Sequence, residues 1–120
     1  MLVTVVTVAY NSEATIARTI EAVLHQTYQN IEYIIVDGAS TDNTAQIAQS
    51  YLHKFAKTGR SLKIISEKDN GMYDALNKGI AAANGVIIGS INADDWYEPD
   101  AVKTMADLYQ KKNMMLHGEA

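Results

Sequence analysis

Four short runs of apolar residues divide the chain and predict β-strands. They are LVTVVTVA at 2–9, IEYIIVD at 31–37, LKIISE at 62–67 and VIIGSI at 86–91. The first run is continuous and rich in β-branched residues, which is typical of a strand covered on both faces. The third run mixes polar with apolar residues more evenly, so we expect it to lie nearer an edge of the sheet.

The segments between these runs carry apolar residues at helical spacing, which predicts four helices. The first helix has the apolar stripe Ile16, Ile20, Val23, Leu24 and Thr27, with Asn11 and Ser12 as caps and Glu13 in its first turn. The second has the stripe Ile47, Tyr51, Leu52 and Phe55, and the third spans about 72–83. The fourth has the stripe Val102, Met105, Ala106 and Tyr109, with Pro99 in its first turn. A short fifth strand is predicted at about 114–117.

Strands and helices alternate without a hairpin signal, which predicts an α/β domain whose mostly parallel sheet is flanked by helices. All strands of such a sheet deliver their carboxyl ends to one edge, and ligands bind in the crevice there. The residues that follow or end the predicted strands are Ala9, Tyr10, Asn11, Asp37, Glu67, Asn92, Asp94 and Asp95. We therefore expect four carboxylates to converge on this edge.

Composition and charge narrow the class of protein. The 120 residues are 48% hydrophobic and 20% charged, as expected of one globular domain or part of one. A net charge of −4 argues against a nucleic-acid partner. No apolar run approaches the roughly 20 residues of a membrane-spanning helix, and the absence of cysteine suits a reducing compartment. We expect a cytoplasmic protein that meets the inner face of a membrane only through parts outside this sequence.

The neighbouring carboxylates Asp94 and Asp95 indicate a metal site. Adjacent like charges are unfavourable unless a cation lies between them. A Mg²⁺ or Mn²⁺ ion, held by one or two carboxylates and by the phosphates of a substrate, would remove this conflict. Other acidic residues have simpler explanations, since Asp42 suits a helix start and Asp69 a turn, whereas Asp37 leaves both interpretations open. Trp96 could stack on a sugar ring, but a buried packing role is the favoured interpretation.

Three segments of the chain resemble the nucleotide-sugar-binding half of a family 2 glycosyltransferase, an inverting family with the Rossmann-like GT-A fold. They are VTVAYNSEATIARTIEAVLHQTYQNIEYIIVDGASTDNT, EKDNGMYDALNKGI and SINADDWYEPDAV, and they cover nearly all of the chain in order. The resemblance implies a truncated GT-A domain over residues 1–120 that binds a nucleoside-diphosphate sugar, commonly UDP-linked, through Mn²⁺ or Mg²⁺. It also implies transfer of the sugar to a saccharide or lipid-linked acceptor in polysaccharide or glycoconjugate synthesis.

The same resemblance implies roles for individual residues. Ala9, Tyr10 and Asn11 would flank the base together with Asp37, which would accept a hydrogen bond from the base edge. Asp94 would lie nearer the ribose and the metal, and Asp95 would bind the metal itself. Asp74, on the helix after the Asn70-Gly71 turn, could reach the diphosphate or the sugar of the donor.

Two departures from the family pattern limit what the resemblance implies. Asn92 stands where many members have the first Asp of an Asp-x-Asp motif, so metal binding would rest on Asp94 and Asp95. The family's general base is expected beyond residue 120, and no catalytic base is assigned within the chain. A nucleotide-sugar-binding module without catalysis therefore stays open as an alternative, as does a Mg²⁺-dependent phosphoryl-transfer or receiver-type domain. The latter is less favoured, because AYN replaces the acidic pair expected after its first strand.

Overall fold

The computed structural model describes residues 1–116, with side-chain surroundings for residues 1–112. Within this range four strands form one parallel sheet: β1 Val3–Ala9, β2 Ile31–Asp37, β3 Ser61–Ser66 and β4 Ile87–Ser90. Their order is β3-β2-β1-β4. The predicted α/β class with a parallel sheet is confirmed, and β3 lies at an edge as its mixed pattern predicted.

Helices cover both faces of the sheet. Residues 1–116 contain α1 Ile16–Leu24, α2 Thr44–Ser50, α3 Leu52–Thr58, α4 Met72–Ala82 and α5 Ala101–Leu116. Val5 of β1 belongs to a core that includes Ile20 of α1, Phe55 of α3 and Val102 of α5. Val6 points to the other face and packs with Ala75 of α4. Because β1 has a core on each face, its residues are apolar almost without interruption.

The register of the sheet brings the ends of all four strands to one edge. Ala9, the last residue of β1, pairs with Asp37, the last residue of β2, and Asp37 pairs with Ser66 at the end of β3. On the other side, Ser90 of β4 pairs with Val6. The loops that follow the strands therefore leave the sheet along a common rim, which we call the carboxyl edge.

The predicted second helix is in fact two helices, α2 and α3, divided at Tyr51. The Tyr51 amide donates to the Ala48 carbonyl, three residues back, at 3.1 Å. The Ser50 hydroxyl also donates to the Ile47 carbonyl. A three-residue bond and a hydroxyl that competes for a helix carbonyl both tighten the turn and interrupt the α-helical ladder.

Two predicted helix starts and one predicted strand are wrong for identifiable reasons. Helix α1 begins at Ile16 rather than after Ser12, because the Thr15 and Ile16 amides both donate to the Ser12 carbonyl and form a separate turn. Pro99 precedes α5 instead of lying in it, and its carbonyl accepts from the Thr27 amide at 2.9 Å. The predicted strand at 114–117 is helical through residue 116, since methionine and leucine favour helix, and residue 117 lies outside the described residues.

None of the helices within residues 1–116 combines the length and the apolar composition needed to cross a bilayer.

Candidate functional site

A cleft of about 870 Å³ opens at the carboxyl edge. Every strand contributes to its walls through the residues at its end. The lining residues are Val8, Ala9, Tyr10, Asn11, Ser12, Ala14 and Thr15 after or within β1, Gly38 and Ala39 after β2, Lys68, Asp69, Gly71 and Met72 after β3, and Asn92, Ala93 and Asp94 after β4. Of the residues singled out in the sequence, the cleft includes Ala9, Tyr10, Asn11 and Asp94; Asp37, Asp74 and Asp95 lie outside its lining.

The loop after β1 is fixed to the loop after β2 by Asn11. This residue has φ of 46°, a left-handed conformation that asparagine tolerates better than most residues. Its side-chain Oδ1 accepts a hydrogen bond from the Thr41 amide at 2.9 Å, and its own amide donates to Ser40 Oγ at 2.9 Å. The neighbouring Tyr10 is 61% exposed at the cleft wall. Asn11 therefore shapes one wall through its backbone while Tyr10 presents a free aromatic ring.

Asp37 lies beneath the cleft and holds two of its loops together. Its carboxylate is 1% exposed and accepts hydrogen bonds from Ser66 Oγ at 2.7 Å, from the Ser40 amide at 3.3 Å and from the Ser40 hydroxyl. These donors compensate the cost of burying the charge. The carboxylate thus links the end of β3 to the loop after β2.

The β4–α1 contact determines the path of the acidic loop, which we define as residues 92–95. The carbonyls of Ala93, Asp94 and Asp95 accept, in order, from Thr15 Oγ1 at 2.9 Å, from Arg18 Nη2 at 2.9 Å and from the Thr19 hydroxyl. The Asp95 amide donates to the Asn92 carbonyl at 3.0 Å and closes a turn. The carbonyls of residues 93 to 95 are therefore held by Thr15, which immediately precedes α1, and by the first turn of α1.

The acidic loop offers free carboxylates of the kind that divalent cations prefer. Asp94 and Asp95 are exposed, and among residues 1–112 no hydrogen bond or ion pair engages either carboxylate. Over the part of the chain that is described, no three His, Cys, Asp or Glu side chains come together as a ready metal site. Mg²⁺ and Mn²⁺ are commonly held by one or two carboxylates, with phosphate oxygens and water completing the shell. The residues present fit an ion of that kind if a diphosphate supplies further oxygens.

The four carboxylates follow the strand ends at the carboxyl edge as predicted, but they do not form one free cluster. Asp37 is buried below the cleft, and Glu67 forms an ion pair with Lys78 at 3.1 Å. Within residues 1–112, Asp94 and Asp95 are the two of these four whose carboxylates have no protein partner. Trp96, beside them, is 52% exposed rather than buried in the core. Sequence position placed these carboxylates at one edge, but their side-chain partners differ.

The loop between β3 and α4 contributes a carboxylate that sequence reasoning assigned only to a turn. Asp69 Oδ1 does accept from the Gly71 amide at 3.0 Å, as a turn residue would, but Asp69 also lines the cleft. A β-carbon on Gly38 would lie 2.6 Å from Asp69 Oδ2. Glycine at position 38 therefore lets the two loops approach. The Asn70-Gly71 turn at a strand end was the sequence signal for this wall.

Asp74 and Lys78 of α4 hold the same loop from outside the cleft. Asp74 Oδ2 accepts from the Asn70 amide at 3.0 Å and lies 3.6 Å from Lys78 Nζ. Lys78 also donates to the Lys68 carbonyl at 2.9 Å. Desolvation lowers the pKa of Lys78, but its hydrogen bond and charge interaction with Glu67 outweigh this, so the pKa is raised overall. The amine therefore stays charged and keeps the loop in place.

Comparison with known proteins gives a consistent assignment. The family model for glycosyl transferase family 2 matches residues 4–116. Among curated relatives, chondroitin synthase of Escherichia coli is 36% identical over 110 residues, which is 92% of this chain and 16% of that protein. Eight such relatives are 30% to 39% identical, and the chain spans only 10% to 36% of their lengths.

Two of the matching solved structures illustrate the shared fold. TarS 1-349 of S. aureus in complex with UDP aligns with a TM-score of 0.81 at 25% identity, over 92% of this chain and 32% of that one. The mannosyltransferase PcManGT from Pyrobaculum calidifontis, in complex with GDP-Man and Mn²⁺, aligns with a TM-score of 0.75 at 28% identity, over 87% of this chain and 30% of that one.

Proposed function

The chain belongs to glycosyl transferase family 2, and from this premise we propose that it forms the donor-binding part of an inverting glycosyltransferase. It binds a nucleoside-diphosphate sugar through a divalent cation, Mn²⁺ or Mg²⁺. The sugar passes to a saccharide or lipid-linked acceptor in polysaccharide or glycoconjugate synthesis. The name of one relative, chondroitin synthase, supports a polymer-forming role.

One observation carries the proposal: two exposed carboxylates, which have no protein partner among residues 1–112, stand beside a cleft formed by the ends of all four strands. Within residues 1–112 no protein donor bonds to the carboxylate of Asp94 or Asp95. The buried carboxylate of Asp37, in contrast, accepts hydrogen bonds from protein donors. Free carboxylates at a ligand crevice suit an ion that arrives with its ligand. A nucleoside diphosphate supplies the remaining oxygens.

We assign the base of the nucleotide to the wall formed by Ala9, Tyr10 and Asn11, above Asp37. Ionised carboxylate oxygens offer about four acceptor sites, and the protein donors found on Asp37 occupy three of them. One acceptor position is left for an N–H of the base, and because Asp37 is 1% exposed and lies outside the cleft lining, the loop that carries Ser40 would have to move for the base to reach it. UDP is the preferred donor nucleotide, and UDP and GDP-Man in the complexes of the two structural neighbours support a nucleoside diphosphate in general.

The chain's own residues then hold the donor and its leaving group. Asp95 would bind the cation, and Asp94 would reach both the cation and the ribose. When bound, the cation acts as a Lewis acid that stabilises the negative charge developing on the departing diphosphate. Asp74 acts indirectly, because it holds the Asn70 amide and with it the wall that carries Asp69. The acceptor hydroxyl attacks from the face opposite the leaving group, which inverts the anomeric carbon, and among residues 1–112 we assign no general base for this step.

Thermal unfolding in the presence of nucleotides tests the proposal. Ligands that bind only the folded state raise its apparent stability. We expect UDP with Mn²⁺ to raise the Tm of the 120-residue chain, whereas Mn²⁺ or UDP alone should raise it much less. If neither UDP nor GDP shifts the Tm with Mn²⁺ present, the donor-binding assignment is wrong.

Nucleoside diphosphate release separates a binding part from a complete enzyme. Loss of a positioned general base costs about 10²–10⁴-fold in rate. The 120-residue chain should therefore bind UDP-sugars without acceptor-dependent release of UDP. Acceptor-dependent turnover at ordinary enzyme rates would place the base within these residues.

A further inference from the structure

We propose that Thr15, Arg18 and Thr19 are positioning residues that hold the acidic loop in its metal-binding shape. This role rests on the proposed function, because it concerns how Asp94 and Asp95 meet the cation. Arg18 and Thr19 lie in the first turn of α1, and Thr15 is the residue immediately before it. Their spacing of i, i+3 and i+4 places the three on one side of the helix start. Their donors engage three consecutive carbonyls, those of residues 93 to 95.

Three consecutive carbonyls turned toward one element do not occur in an extended strand, where successive groups alternate in direction. The acidic loop must therefore leave the β conformation directly after β4, and the 3.0 Å bond from the Asp95 amide to the Asn92 carbonyl closes the resulting turn. Because the donors from Thr15, Arg18 and Thr19 bond to the backbone carbonyls of the loop, its carboxylates are not used to hold it in place. They stay available for an external cation. The contacts join residues 76 to 78 positions apart in sequence.

The two threonines connect this loop to the rigid core. Thr19 is 0% exposed, and the adjacent Ile20 is also fully buried. Threonine is β-branched and has restricted χ1 rotation, so its hydroxyl is held in a narrow range of positions. Thr15 lines the cleft itself while bonding to the Ala93 carbonyl. Because metal ligands must be held precisely, supporting hydrogen bonds of this kind tune affinity.

Arg18 adds positive charge next to the acidic pair. Its guanidinium donates to the Asp94 carbonyl at 2.9 Å from an exposed position. Among residues 1–112 no ion pair joins this guanidinium to either carboxylate, so Arg18 holds the loop through the hydrogen bond to its backbone. Interactions of exposed charges are weakened by salt, so the contribution of Arg18 should shrink as ionic strength rises, whereas those of the two hydroxyls should persist.

Calorimetry of UDP binding to the 120-residue chain, with Mn²⁺ and with EDTA, tests the role. Thr15→Val and Thr19→Val keep the side-chain shape and remove the donor. Each should weaken Mn²⁺-dependent UDP binding, by about 10- to 100-fold for the double variant, as is typical when supporting hydrogen bonds are lost. Arg18→Met should weaken it at low salt and have little effect at high salt. Wild-type affinity in the double variant would overturn the proposal.

Thr4→Val is the matched control. Thr4 is also a fully buried threonine, and its hydroxyl bonds to Glu32 and to the Gly85 amide at the opposite edge of the sheet. This variant should lower the Tm while leaving the Mn²⁺-dependent affinity unchanged. An equal loss of affinity in Thr4→Val would show that the weaker binding of the Thr15 and Thr19 variants comes from general destabilisation. That result would also overturn the proposal.

Amide hydrogen exchange of residues 93–96 in the absence of ligand separates this proposal from the proposed function. Faster exchange there in the Thr15→Val and Thr19→Val variants, and not in Thr4→Val, is the expected result. Unchanged exchange would refute positioning by α1. If the wild-type chain showed no Mn²⁺-dependent binding of UDP, the proposed function would fail, and the exchange data would still decide whether α1 fixes the loop.

Discussion

Replacing Asp37 by alanine should destabilise the fold as well as alter nucleotide binding. The carboxylate is 1% exposed and accepts three hydrogen bonds, from Ser66 Oγ at 2.7 Å, from the Ser40 amide at 3.3 Å and from the Ser40 hydroxyl. A hydrogen bond to a charged group contributes about 1.5–3 kcal/mol. Because Ser66 is exposed and Ser40 half-buried, their hydroxyls can turn to water, which reduces the loss.

We therefore expect Asp37→Ala to lower the free energy of unfolding by about 2–4 kcal/mol, which is a large part of the roughly 5–15 kcal/mol typical of a domain. Urea denaturation measures it as a shift of the midpoint at constant slope. Asp37→Asn retains an acceptor oxygen and Ser66→Ala removes one donor, so each should lose less. If Asp37→Ala unfolds within about 0.5 kcal/mol of wild type, as an ordinary surface change does, the carboxylate does not link the loops.

The same variant tests the base-recognition role at a temperature where it remains folded. Asp37→Ala should weaken UDP binding while leaving pyrophosphate binding little changed, because pyrophosphate lacks a base. Calorimetry with both ligands in the presence of Mn²⁺ gives the comparison. Parallel losses would show that Asp37 acts through loop structure and not on the base.

Two further predictions concern stability. Gly79→Ala should destabilise the fold by about 1–3 kcal/mol despite the better helix propensity of alanine, because a β-carbon there overlaps Val6 and crowds Val36 on the sheet; a stabilised variant in urea denaturation would contradict the packing of α4. Burial raises the pKa of Tyr33, and this effect outweighs the hydrogen bond with Thr7, which lowers the pKa. Above about pH 10 the phenol of the unfolded chain therefore loses a proton that the folded chain keeps. Stability should then fall with rising pH, by up to about 1.4 kcal/mol per pH unit, and a slope in Tyr33→Phe as steep as in wild type would refute this.

Sequence periodicity predicted the sheet well because each strand has a strong local signature. The apolar runs of β1 and β2 reflect burial on both faces, and the mixed pattern of β3 reflects its edge position. Parallel topology then placed the strand ends at one edge without further information. The sequence of the short strand β4 does not show that it lies at the other edge of the sheet. Its place there depends on its pairing with β1, which the pattern along the chain does not contain.

The details of the candidate site depend on contacts between distant residues, which a pattern along the chain does not contain. Asp37 and Asp94 both follow apolar runs, but only Asp37 has hydroxyl donors from Ser40 and Ser66. Likewise, the Thr15 bond to the Ala93 carbonyl joins residues 78 positions apart. Sequence could therefore indicate which carboxylates reach the edge, but it could not show which of them stay free.

The central claim is that Asp94 and Asp95 hold a divalent cation that binds the diphosphate of the donor. Calorimetry of UDP binding to the 120-residue chain, with Mn²⁺ and with EDTA, tests it most directly. Asp95→Asn should remove most of the Mn²⁺-dependent affinity, whereas Asp107→Asn, at an exposed carboxylate paired with Lys103 at 3.0 Å, should not. UDP should bind the wild type much more tightly with Mn²⁺ than with EDTA, and equal affinity under the two conditions would contradict the account.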